Sequence, residues 1–298
     1  MDSHITQPLA ATDPDDSRLP ASRRLRLLLA NFRHHPGRLI EPLLYPLYRW
    51  YEHHLMHEVT RATVPMHIGL ILDGNRRFAR DLGMDITAGH RFGVSKLREV
   101  LEWCLDLHVR HVTLYVFSTE NFSRSDQEVE CLLDLFVRES ARLLESPRIK
   151  AERVRVRVIG QRHRLPARVV QASEELENST AANDGMLLNI ALAYSGREEI
   201  TDAVKGLLGA AAARGQSMES VIADLKPAEI ERYLYTEGTP DPDFIIRTSG
   251  EQRLSGFMTW QAAYSEFYFC DVLWPAFRRI DFLRAVRTYQ NRQRRYGR

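Results

Sequence analysis

The chain has 298 residues, enough for one large α/β domain with a full core or for two smaller ones. Its 41 basic and 39 acidic residues are mixed along most of the sequence and leave a net charge of +2, which excludes a dedicated nucleic-acid binder with a basic face. Three widely spaced cysteines among apolar neighbours, Cys104, Cys131 and Cys270, read as buried free thiols of a reducing compartment and exclude a disulfide framework. No apolar run approaches the ~20 residues of a membrane span. Asp13, Asp15 and Asp16 stand where a secretory signal would need apolar residues, so a cytoplasmic protein is expected.

Residues 1–22, rich in Pro, Asp, Ser and Ala, predict a disordered tail. Residues 23–63 predict an N-terminal helical arm. Leu25, Leu28, Leu29 and Phe32 have helical spacing among arginines, and after Pro36-Gly37 an apolar-aromatic segment runs from Leu43 to Tyr51. Such an arm could touch a membrane surface or a hydrophobic substrate. A helix packed on the body is the preferred reading, because Tyr and Trp also fill ordinary interfaces.

From Met66 the pattern is regular. Apolar runs at His67–Leu72, Val112–Phe117, Val154–Ile159, Leu187–Leu192 and Phe244–Ile246 predict strands. Between them, Leu97, Val100, Leu101, Cys104 and Leu105 share one helical face; Val129, Leu132, Leu133 and Phe136 share another, opened by the capping-box pair Ser125 and Glu128. This alternation predicts βαβ units in an α/β fold: a single domain over residues 64–298, with a central, mostly parallel sheet flanked by helices. A basic helix is expected from Asp281 to Gly297.

Three clusters carry chemistry, each directly at the end of a predicted strand, where ligands of open α/β sheets sit. The first is Asp73-Gly74-Asn75-Arg76-Arg77-Phe78. A lone Asp there is ordinarily a cap or turn residue, but two arginine forks beside a carboxylate suit a metal-bound phosphate ligand. The second is Ser118-Thr119-Glu120-Asn121-Phe122-Ser123-Arg124, and the third is Arg247 to Phe257, with two arginines, hydroxyls and glycines fit for gripping a diphosphate. Glu266 follows inside an aromatic run, where an acid is costly to bury unless it is paired or binds a cation. Walker A, dinucleotide, HExxH and GxSxG patterns are absent.

Taken in order, five segments resemble the cis-prenyltransferases, the undecaprenyl diphosphate synthase family: His67–Arg77 with Gly89-His90, Phe117–Arg124, Asn189–Arg197, Arg247–Ser255, and Trp260–Phe269 followed by Trp274-Pro275. The resemblance spans about Val64 to Gly297. The wording around Glu41-Pro42-Leu43 and Pro240–Phe257 is most similar to short-chain Z-farnesyl diphosphate synthases. It implies the fold of that family and a Mg²⁺-dependent homodimer that joins isopentenyl diphosphate to an allylic diphosphate with a new cis double bond.

By position, the resemblance assigns Asp73 to the metal and the allylic diphosphate, with Gly74, Asn75, Arg76, Arg77, Phe78 and His90 around that group. Asn121 would help remove the proton, relaying it to a diphosphate oxygen. Ser118, Thr119, Glu120, Phe122 and Arg124 would line the gap between the substrates. Arg247, Arg253, Leu254 and Ser255 would bind isopentenyl diphosphate. Glu266 would supply a second metal ligand at the dimer interface, and Arg295 and Gly297 resemble an RxG motif that reaches the partner's site.

Gln161 replaces a frequent Asp of the family, and the sequence departs from the family pattern in three further places. Phe78 stands for a common Trp, Ile86-Thr87-Ala88 lacks a basic residue, and Arg76 replaces a common glycine and could take over that residue's work. Val116 and Met186 fall at tunnel-lining positions, and a bulky floor there predicts a short product, C15 with geranyl diphosphate or a similar primer. A medium- or long-chain synthase is the alternative. A non-catalytic scaffold subunit would have lost Asp73 and the loop around Asn121, and irregular head-to-middle coupling fits poorly with Asn121.

Overall fold

Six strands pair side by side in one parallel sheet, in the order β3-β4-β2-β1-β5-β6. They are β1 (His67–Ile71), β2 (His111–Ser118), β3 (Arg155–Ile159), β4 (Leu187–Tyr194), β5 (Phe244–Arg247) and β6 (Glu266–Phe269). The coordinates are a computed structural model that describes residues 41–292. The chain divides into two units, 1–46 and 47–298. Of the first, only residues 41–46, the opening of a helix, are described. The expected tail, the arm up to residue 40, and Arg295 and Gly297 lie outside the described residues.

The inner strands are apolar along their whole length because both sheet faces are covered, as parallel sheets require. Every residue of β1 and β5 is buried. On one face, Ile68, Leu70, Val112, Leu114 and Leu188 join a core with helices α1 (Glu41–Thr60), α3 (Ile86–Asp106), α4 (Asp126–Glu145), α6 (Ala167–Thr180) and α10 (Arg279–Asn291). The opposite face buries Ile71, Tyr194, Ile245, Phe257 and Met258. Short helices α2 (Asn75–Asp81), α5 (Pro147–Ala151), α8 (Met218–Asp224) and α9 (Pro227–Glu231), with the longer α7 (Gly196–Ala213), complete the elements used below.

From Leu47 onward α1 is a helix packed on the body. Leu55 and Val59 are fully buried, Arg279 approaches Glu52 at 3.6 Å, and Gln290 donates to the Val59 carbonyl at 2.8 Å. Leu47 and Trp50 stay exposed. Among the described residues no helix is long and apolar enough to cross a membrane.

The five expected strands form within two residues of their expected limits. The sixth, β6, was not foreseen: four half-buried residues, three of them aromatic, show no strand alternation. Only half of the expected capping box exists. The Ser125 hydroxyl accepts from the Glu128 amide, but the Glu128 carboxylate turns to other partners. Of the three thiols, Cys104 is fully buried, whereas Cys131 and Cys270 are only partly so. The terminal helix starts at Arg279, before the expected Asp281, and its helical hydrogen bonding ends at Asn291.

Candidate active site

Because the strands are parallel, β2, β1 and β5 end at one edge, and the three polar clusters meet there. They surround a cavity of about 740 Å³. Asp73, Gly74, Asn75, Arg76, Arg77, His90, Val116, Ser118, Glu120, Asn121, Arg124, Arg247 and Ser255 line it, as expected from their motifs.

Asp73 follows β1 through a tight exit. Gly74 has φ +112°, a left-handed value natural only to glycine, and its Cα packs against Leu273. Gly89 and Gly93 let α3 lie directly on the start of α2. A methyl on either would collide with Asn75, whose Nδ2 donates to the Leu72 carbonyl at 3.0 Å. Asp73 Oδ2 accepts from Arg247 Nη2 at 2.7 Å, and among the described residues Oδ1 receives no hydrogen bond.

Arg247 is buried and links the two ends of the cavity. Its Nη1 donates to the Ser255 hydroxyl at 2.8 Å and to the Arg253 carbonyl. Arg253 itself points outward and pairs with Glu251, which also takes Arg77 Nη2 at 3.2 Å. Asn121 is fixed in a turn: its Oδ1 accepts from the Ser118 amide at 3.1 Å, leaving Nδ2 as a donor.

One acid below the cations escaped the motif reading. Glu128 Oε1 receives His90 Nε2 at 3.0 Å and Arg124 Nη1 at 2.7 Å, with Arg76 Nε at 3.7 Å. Burial pushes the His90 imidazole below its usual value, although the Glu128 bond opposes this. Burial by itself would raise Glu128; the His90 bond and the charges of Arg124 and Arg76 outweigh it and hold the carboxylate below its ordinary range.

Several expected residues lie outside the cavity lining. Phe78 is buried and meets Phe92 edge-on, 5.7 Å between ring centres. Thr119 and Leu254 stand beside lining residues without joining them. Phe122 packs on Phe117, with the Arg164 guanidinium 4.8 Å from its ring. Met186 is core, just before β4 at the opposite end of the sheet from Asp73, so its product-length assignment finds no support in the cavity. Glu266 opens edge strand β6 and pairs with Arg292 at 2.7 Å; within one chain it does not share the cavity with Asp73.

The cavity also includes Arg80, Val94, Leu97, Tyr115, Leu132 and Trp274, which the sequence reading did not place there. Leu97 and Leu132 read as core because the same helical periodicity serves a core and a hydrocarbon wall. The Gly89-x-x-x-Gly93 spacing was the available signal for the close approach of α3.

A family model described as "Putative undecaprenyl diphosphate synthase" matches residues 71–297. An isoprenyl transferase of Thermus thermophilus is 60% identical over 85% of this chain and 96% of its own length. At near-equal identity stand a (2Z,6E)-farnesyl diphosphate synthase of Thermobifida fusca (48%; 85% of this chain, 97% of its own) and a geranylgeranyl-diphosphate-specific tritrans,polycis-undecaprenyl-diphosphate synthase of Methanopyrus kandleri (47%; 86% and 93%). Among solved structures, lavandulyl diphosphate synthase of Lavandula x intermedia with dimethylallyl diphosphate superposes with a TM-score of 0.72 at 33% identity, covering 81% of this chain and all of that one.

Proposed function

The chain belongs to the undecaprenyl diphosphate synthase family and is a cis-prenyltransferase, and from that premise we propose that it extends a short allylic diphosphate with isopentenyl diphosphate to a short cis product, C15 in the simplest case. The observation that carries this reading is a steric narrowing of the cavity beside the β2 motif, which stops elongation by exclusion. Val116, at the β2 bulge, adds a branched side chain to its wall.

In this reading Arg76, Arg77, His90 and the backbone at Gly74 and Asn75 hold the allylic diphosphate, Arg247 and Ser255 hold the isopentenyl diphosphate, and Arg253 leaves Glu251 to join them. The allylic C–O bond breaks, diphosphate leaves with the electron pair, and the new C–C bond forms with loss of a proton. The arginines face the charge that grows on the leaving group. With its Oδ1 committed to the Ser118 amide, Asn121 acts through Nδ2, orienting a diphosphate oxygen that receives the proton.

A Mg²⁺ ion fits Asp73: magnesium takes one or two carboxylates and completes its shell with water and substrate phosphates. No group of three His, Cys, Asp or Glu side chains among the described residues could hold an ion alone, so diphosphate oxygens would have to complete the set. The ion would neutralise the departing diphosphate. Glu266 could contribute only across a homodimer. Edge strand β6, with half-buried aromatic residues and Tyr264 83% exposed beside it, supports pairing of two copies there.

Incubating the purified protein with Mg²⁺, radiolabelled isopentenyl diphosphate and C10 or C15 primers tests the reading. A C15 to C20 product is expected; a dominant C50 to C55 product would refute it.

A further inference from the structure

Residues 249–258 follow an unusual path. Ser249, Ser255 and Met258 sit at φ +79°, +51° and +45°, in the left-handed region that non-glycine residues avoid. Each such residue costs on the order of 1–3 kcal/mol and persists only where its surroundings over-determine it. Around Ser255 the restraints are explicit. Arg247 Nη1 holds the Ser255 hydroxyl at 2.8 Å, and the Gly196 amide donates to the Gly256 carbonyl at 2.7 Å. The third restraint comes from across the sheet: the Tyr115 hydroxyl donates to the Ser255 carbonyl at 3.0 Å.

Tyr115 is placed for this by its strand. It stands level with Ile71 on β2, lines the cavity, and stacks on buried Phe257 with 4.9 Å between ring centres and 23° between planes. Its hydroxyl also lies 3.5 Å from the Tyr194 carbonyl, so one phenol ties the end of β4 to the 249–258 segment. Burial raises the phenol well above its ordinary value, with Glu120 adding to the effect, and keeps it a protonated donor at any working pH.

We propose that Tyr115 is a positioning residue for isopentenyl diphosphate: its hydroxyl pins the Ser255 carbonyl, and thereby holds Ser255 and Arg253 in the strained path that grips the second diphosphate. This rests on the reading of residues 247–255 as the isopentenyl diphosphate grip. It separates Tyr115 from the allylic half, where Glu128, on another element, holds His90 and Arg76.

Tyr115→Phe keeps the ring and its stacking and removes the one hydroxyl. With geranyl diphosphate as primer, the KM for isopentenyl diphosphate is expected to rise about 3- to 15-fold, the worth of one hydrogen bond. The KM for the primer and kcat should stay within about twofold. Amide hydrogen exchange should speed up in 249–258 and not elsewhere. Arg253→Ala is the companion variant. If it raises the isopentenyl diphosphate KM and Tyr115→Phe does not, the positioning role is overturned. If Tyr115→Phe impairs both substrates and kcat alike, it is overturned as well. An unchanged KM in Arg253→Ala would overturn the grip assignment and this proposal with it.

Discussion

Glu128→Gln is the sharpest single test of how the cavity is held together. The substitution keeps the size and one acceptor oxygen but removes the negative charge that three side chains share. Arg124 Nη1 lies 2.7 Å from Oε1, His90 Nε2 3.0 Å and Arg76 Nε 3.7 Å. At an effective dielectric of about 20, a unit charge at the longest of these distances still interacts by roughly 4–5 kcal/mol before desolvation is counted. Burial of the carboxylate consumes most of the gross attraction, so a net loss of about 2–3 kcal/mol is expected, as for hydrogen bonds to charged groups. For a chain of this size that is a fall in Tm of about 3–5 °C. Calorimetry at low ionic strength reads this. Steady-state kinetics should show a raised KM for the allylic substrate and an unchanged one for isopentenyl diphosphate, since Arg76 and His90 lie on the allylic side. A Tm within about 1 °C of the parent, with both KM values unchanged, would show that Glu128 organises nothing.

Two further consequences can be measured. His67 is fully buried, with Nδ1 2.6 Å from the Pro240 carbonyl and Nε2 2.8 Å from Thr113 Oγ1, and burial lowers its pKa to about 4. Between the ordinary value of about 6.5 and 4 the unfolded chain therefore binds a proton that the folded chain refuses. Stability from this residue is complete above about pH 6.5 and falls, by about 3 kcal/mol in all, as the pH drops to 4. Urea melts across that window should flatten by about one proton's slope in His67→Gln; an unchanged slope would assign the acid sensitivity elsewhere. Asn121→Ala removes the Nδ2 donor, and turnover at saturating substrates should drop by at least about tenfold. Nearly full turnover would eliminate Asn121 from proton removal.

Five of the six strand positions, the parallel sheet and the three polar clusters are legible in the sequence alone. Continuous apolar runs such as His67–Ile71 need cover on both faces, and charged residues at their ends have nowhere to go but the sheet edge. The catalytic motifs were legible for the same reason: each is a short contiguous run whose residue types cannot serve a core. Glu128 was seen only as a cap because its partners lie 38 residues upstream, 4 residues away and across α2, and no local pattern encodes that convergence. Tyr115 and Val116 are neighbours in an apolar strand, indistinguishable by type from core residues.

Residue type alone does not say what those neighbours do; the family resemblance put Val116 at the tunnel, and the fold gives Tyr115 its place. The register of β2 against β4 slips between Tyr115 and Phe117, a bulge that turns Val116 into the cavity wall while Tyr115 reaches the Ser255 carbonyl. The same folding removes Met186 to the far end of the sheet and leaves Glu266 on its edge, apart from Asp73. A strand's sequence states which residues are apolar. Pairing register, set by every strand at once, states which face each one turns to, and so which of them meet the substrate.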